Sequence, residues 1–173
     1  VTQDYIHLVS RFITVTSGIY IGTGAGAHKN KFLLMFGNSG TNTSIYHNDV
    51  AIVSGLWYNL TATYENNHAK FYVNGVLGEE NASVTYAPSP RAMSLGATSQ
   101  HTPPIQRFDG KMSDFRFYDT ALTRGEVEHL YRGLHKNINS LIYPKLHIPM
   151  NNSSDITSNA IIHSSTITYG LQI

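Results

Sequence analysis

Asn74-Gly75 sits between two runs of apolar and β-branched residues, Ala69-Lys70-Phe71-Tyr72-Val73 and Val76-Leu77-Gly78. A type I′ turn needs positive φ at both central residues, and Asn-Gly tolerates that better than almost any other pair. The dipeptide therefore commits this stretch to an antiparallel hairpin. Just upstream, Leu56 to Tyr64 predicts a long strand. The polar Glu65-Asn66-Asn67-His68 then predicts the turn that brings the two strands alongside.

Short strands account for most of the remainder. Tyr5 to Val9 and Phe12 to Val15 read as two short strands or one bent strand, followed by Gly18 to Gly22. Lys31-Phe32-Leu33-Leu34-Met35-Phe36 is an apolar run of strand length bounded by loop residues, which favours a buried strand over a helix. Ser44 to His47, Ala92 to Gly96 and the alternating Met112 to Tyr118 complete the set. Pro88, Pro90, Pro103 and Pro104 confine their neighbours to loops or edges. One helix is predicted: Thr123 and Glu126 form a capping box, and Val127, Leu130, Tyr131 and Leu134 make one apolar stripe. Gly133 marks its end. Many short strands with a single helix predict an all-β sandwich.

Composition removes several function classes. Charged residues are 13% of the chain, about half the usual share, and the net charge is +1 with no basic stripe. Nucleic acid is therefore not an expected partner. There is no cysteine, which excludes disulfides, thiolate metal sites and a cysteine nucleophile. Apolar runs are far too short for membrane insertion as a helix. The start at Val1, without a signal-peptide pattern, reads as a processed product or a fragment of a longer protein. Glycosylation sequons begin at Asn42, Asn59, Asn81, Asn151 and Asn152.

Several blocks resemble one family. Trp57 to Tyr64, followed by Lys70 to Gly75, is similar to the central hairpin of laminin-G-like, concanavalin A-like domains. Ser94-Leu95-Gly96 resembles a strand of that family, and Phe108 to Leu122 resembles its "F-x-G-x-I-D-D-V-R-I-Y-x-R-A-L" segment. The helix from Thr123 follows where that family places one. The resemblance covers about residues 56–134 in order, and it implies a two-sheet antiparallel jelly-roll sandwich with one short helix. Residues 1–22 resemble the family's third element, so residues 1–140 are expected to form such a jelly roll lacking its first two strands. Residues 141–173, with Leu146-His147-Ile148-Pro149-Met150 and a polar loop, resemble the start of such a domain. They either complete the sandwich by permutation or strand swap, within the molecule or with a neighbour, or begin the next tandem repeat.

The resemblance also names candidate residues. It places Trp57 inside or beneath the hairpin. It implies a structural Ca²⁺ near Asp114, with Asp155 from the polar loop as a second oxygen ligand; the competing reading pairs Asp114 with Arg116 or Lys111. Asp109 reads as a turn residue. Catalysis on glycans needs two carboxylates aimed at one bond, and no "E-x-D-x-x-E" strand is present. Glu79 and Glu80 are adjacent and would face opposite sides of a strand, while Glu126 and Glu128 belong to the helix. The scattered histidines show no zinc spacing. Ile21 to Gly26 mimics a phosphate-binding loop but leads into a strand rather than a helix. The expected function is non-catalytic recognition of a glycan or a protein surface, not an enzyme's. The alternative is a structural repeat of a large cell-surface, extracellular or virion protein with no soluble ligand.

Overall fold

The computed structural model describes residues 5–13, 17–98, 106–133, 143–148 and 168–172. They form an all-β chain: two antiparallel sheets with one short α-helix, as the sequence predicts. Two compact units carry them. The first comprises Val1–Ser54 and Ser83–Gly110, the second Gly55–Ala82 and Lys111–Ile173.

The first unit holds a five-stranded sheet. Its strands are β1 (His7–Ile13), β2 (Ser17–Thr23), β3 (Phe32–Asn38), β4 (Thr41–Tyr46) and β8 (Ser94–Leu95), in the spatial order β4-β3-β2-β1-β8. The two possible N-terminal strands are one, bent by a bulge between His7 and Val9. An extra residue in one strand increases local twist and re-aims the side chains around it. β2 and β3 are buried on both faces along nearly their whole length, which explains why the Phe32–Phe36 run does not alternate. Phe12, Tyr20, Leu33 and Met35 form one cluster, with Tyr5 and Tyr46 packed against it. β8 is only two residues long, shorter than the Ala92–Gly96 expectation; the Ser94 hydroxyl donates toward the Ser10 and Ala97 carbonyls. Gly18, at φ +97, faces Arg11 so closely that a Cβ would lie 1.9 Å from its carbonyl oxygen. Only glycine fits there.

The second unit holds β5 (Asn59–Glu65), β6 (His68–Val73), β7 (Val76–Asn81), β9 (Phe115–Tyr118), β10 (Leu146–Ile148), β11 (Thr168–Gln172) and α1 (Arg124–Tyr131). Its sheet runs β10-β9-β11-β5-β6-β7. β5, β6 and β7 form a meander, closed by Asn66-Asn67 and Asn74-Gly75, all four at positive φ. β11, last in chain order, lies between β9 and β5 and pairs antiparallel with both. One sheet face carries Leu60, Ala62, Ala69, Phe71, Val73, Phe115 and Phe117, all at most 2% exposed. On the other face Tyr72 and Tyr118 receive Leu122, Val127 and Leu130. The capping box holds the start of α1: Glu126 N–H donates to Thr123 Oγ1, and Thr123 N–H donates to the Glu126 carboxylate. Arg132 caps the end and Gly133 follows at φ +71; Leu134 lies outside the described residues.

His7 is the most perturbed base of the first sheet. It is buried and stacks on Tyr20 with centroids 4.2 Å apart and rings nearly parallel. Its Nδ1 finds no hydrogen-bond partner among the described residues. Burial lowers its pKa from 6.5 to about 4, so the neutral ring is the folded form. The unfolded chain takes up a proton below pH 6.5 that the folded chain refuses. The stability margin is therefore whole above pH 6.5 and shrinks as the pH falls toward 4, by about 3 kcal/mol at the limit. Thermal melts between pH 7 and pH 4 should fall more steeply for the native chain than for His7→Phe, which keeps the stack without the titration. Parallel slopes would refute this assignment.

Candidate functional site

The hairpin end of the six-stranded sheet carries four of the exposed apolar side chains among the described residues of the second unit; Tyr143, before β10, is another. Leu56, Trp57, Val76 and Tyr131 are 63%, 57%, 56% and 43% exposed. Backbone chemistry brings them to this end. Asn74 N–H donates to the Asn59 carbonyl at 2.8 Å, and Asn59 N–H donates to Asn74 Oδ1 at 2.9 Å. The turn thus clamps the first residue of β5 and with it the segment carrying Leu56 and Trp57. On the other side of the turn Tyr131, in the last turn of α1, lies directly against Gly75. Val76 opens β7 between them.

Trp57 corrects the sequence reading. It is not packed under the hairpin; β5 begins at Asn59, three residues later than the strand expected from Leu56. Tyr58 turns inward instead, at 9% exposure.

At the opposite end of the same sheet lies a polar groove. Thr63 and Glu65 of β5, His68 and Lys70 of β6, and Ala121, Leu122 and Thr123 before α1 line a space of about 190 Å³. Glu80 of β7 stands across from Lys70 and forms an ion pair with it at 3.8 Å, and lies 2.9 Å from His68 Nε2. Burial pushes the Tyr72 and Tyr118 hydroxyls above the ordinary phenol range, so both stay neutral beneath this face.

Asp114 adopts a left-handed backbone, φ +59, just before β9. Arg116 grips its carboxylate with both arms, Nε to Oδ1 at 2.8 Å and Nη2 to Oδ2 at 2.7 Å. His147 Nε2 lies 2.5 Å from Oδ1, because His147 and Arg116 are register partners across β10 and β9. A fork-to-fork pair of this kind satisfies both oxygens. Asp155 lies outside the described residues, as do Asn151 and Asn152. Among the described residues no three His, Asp or Glu side chains gather to hold a metal. Asp114 is thus paired, among the described residues, with Arg116 and His147.

The other named residues are held apart. Asp109 is exposed in an irregular segment. Glu126 serves the helix cap, and Glu128 pairs with Arg132 at 2.5 Å. Gly22, Gly24 and Gly26 belong to a strand end and a loop leading to a 3-10 turn, Gly26–His28. Of the sequon residues, Asn59 is buried while Asn42 is exposed on the edge strand β4.

The laminin-G-like family of the concanavalin A-like lectin/glucanases superfamily matches residues 3–128. The chain belongs to that superfamily. Its fold class is accordingly the all-β, two-sheet antiparallel jelly roll with one short helix. No curated protein matches this concanavalin A-like chain. Among solved structures it is similar to an S-layer domain-containing protein of Clostridium thermocellum, at 20% identity and a TM-score of 0.40. That alignment covers 75% of this chain and 64% of the other.

Two outcomes follow for this concanavalin A-like chain. Melting temperature should be the same in millimolar Ca²⁺ and in chelator, and Asp114→Asn should cost about 2 kcal/mol by stranding Arg116 and His147. A calcium-dependent rise lost in Asp114→Asn would place a metal there after all. Gly75→Ala should destabilise by about 1–2 kcal/mol, since it forces alanine into left-handed backbone, and its Cβ would sit 2.9 Å from the Tyr131 ring. An unchanged melt would show that Tyr131 does not rest on the turn.

Proposed function

We propose that this domain is a non-catalytic recognition module at a cell surface or outside the cell, binding carbohydrate at the hairpin end of its six-stranded sheet. The observation that carries the reading is the exposure of Trp57, the sole tryptophan, at 57%. A flat indole kept in water presents apolar surface whose burial is favourable, and it suits the C–H face of a pyranose ring. Leu56, Val76 and Tyr131 are exposed apolar side chains near the same turn. Membership of a lectin and glucanase superfamily supports a glycan as the ligand.

The non-catalytic part of the reading is supported by five carboxylates that are held in ion pairs or in the helix cap. Asp114 is bound to Arg116 and His147, Glu80 to His68 and Lys70, and Asp119 to Lys145 at 3.2 Å. Glu126 and Glu128 stabilise the helix. Glycoside cleavage instead needs two carboxyl groups converging on one bond.

A second reading, a structural repeat without a soluble ligand, is supported by the insertion of β11 between two strands distant in sequence. A titration separates the two. Trp57 is a unique fluorescence reporter, so neutral oligosaccharides should shift its emission saturably. Trp57→Ala should then weaken binding at least tenfold, about 1.4 kcal/mol. Unchanged affinity in Trp57→Ala, or indifference of the emission to every glycan tried, would sink the carbohydrate reading and leave the structural one.

A further inference from the structure

The first unit carries a cavity that shares no residue with the hairpin end. Its volume is about 300 Å³, and Lys29, Asn30, Lys31 and Asn48 stand on its wall together with Gly26 and Ala51. One side is the connection from β2 to β3, the other the segment that follows β4. Backbone hydrogen bonds hold both sides. Gly24 N–H donates to the Lys31 carbonyl at 3.0 Å, and Lys31 N–H to the His28 carbonyl at 3.0 Å. Ile52 N–H donates to the Asn30 carbonyl at 3.0 Å, which ties one side to the other. Lys31 Nζ joins them again by donating to Asn48 Oδ1. Behind the connection, His28 stacks on Tyr46 with centroids 4.2 Å apart. At Gly26, φ +55, no atom beyond the chain neighbours comes within 4 Å of where a Cβ would stand, so the wall is open there.

Charge gives this cavity its chemistry. No carboxylate lines it. Neither Lys29 nor Lys31 makes an ion pair among the described residues, whose paired carboxylates, Glu80, Asp114, Asp119 and Glu128, all belong to the second unit. The described acids of the first unit are Asp49 and Asp109, both exposed. Two ammonium groups on one wall repel each other, and a cleft lined by one sign of charge concentrates ions of the other. Lysine binds phosphate as a compact point charge, and the side-chain amides of Asn30 and Asn48 carry N–H donors for further oxygens. We infer that this cavity binds phosphate in the form of a small monoester, with Lys29 and Lys31 as its charge partners. A dianion matches two ammonium groups that have no counter-charge, where a single carboxylate would leave one of them unbalanced. Small-ligand pockets run from roughly 300 Å³ upward. This one lies at the lower limit, which restricts the ligand to a compact ester such as a hexose phosphate, or to phosphate itself.

The test is a titration of the full chain with inorganic phosphate, glucose 6-phosphate, glucose and acetate, followed by backbone amide NMR shifts. Both phosphates should give saturable shifts confined to residues 26–31 and 48–52, and glucose should give none. Equal affinity for the two phosphates assigns the site to the anion alone, and tighter binding of glucose 6-phosphate assigns it to a sugar phosphate. Lys29→Gln and Lys31→Gln should each weaken phosphate binding about fivefold or more. Lys111→Gln, which removes the same charge from an exposed position of the second unit, should leave binding unchanged. Lys29 is itself exposed, so Lys29→Gln carries the comparison if Lys31→Gln fails to fold. Shifts that never saturate, or that scatter over both units, would overturn the inference. So would an equal loss in Lys111→Gln, or acetate binding as tightly as phosphate.

Discussion

The ladder that β11 makes with β5 and β9 is the interaction on which the second unit depends. A sheet assembled from a three-strand meander and a separate pair has two edges that must meet something. Backbone N–H and C=O groups at the centre of a sheet, flanked by buried Leu60, Phe71 and Phe115, cannot be left to water. The apolar face of the meander continues without a break into Phe115 and Phe117 only because a strand fills the gap. The helix depends on the same continuity, since Tyr72 lies on β6 and Tyr118 on β9, and α1 packs across both.

The hairpin at Asn74-Gly75 is the second constraint, and it reaches toward function. Its left-handed residues set the register of β6 and β7, its side-chain amide clamps Asn59, and its glycine makes room for Tyr131. One dipeptide thereby positions the start of β5, the end of α1 and the exposed Leu56, Trp57 and Val76 around it. The opposite end of the sheet has a different chemistry, with Glu65, His68, Lys70 and Glu80 forming a charged ladder. Apolar platform and polar groove are thus separated along the length of the same three strands.

Much of this is legible in the residues alone, and for local reasons. The Asn-Gly turn, the Thr123 to Glu126 capping box and the apolar run in β3 each act within a few residues, where pattern and geometry are tightly coupled. Readings that failed or stayed open depend on distant partners. Trp57 reads as a core residue from the family resemblance, but burial depends on where the ladder begins, and the clamp from Asn74 sets that point at Asn59. Asp114 reads as a cation ligand only through the family resemblance. Its partner His147 is contributed by β10, thirty-three residues on in sequence, and no local pattern links the two. The same holds for β11: Thr168 to Gln172 resembles many short strands, and nothing in its composition tells which two strands it separates.

Native-state hydrogen exchange resolved to single amides tests the central claim most directly. If β11 completes the sheet, the amides of Leu60 to Thr63 and of Phe115 to Tyr118 will exchange as slowly as those of Phe71 to Val73, near the global unfolding limit. If those two strands instead exchange at the rate of the edge strand β7, the space between them is empty in solution and the account of the sheet is wrong.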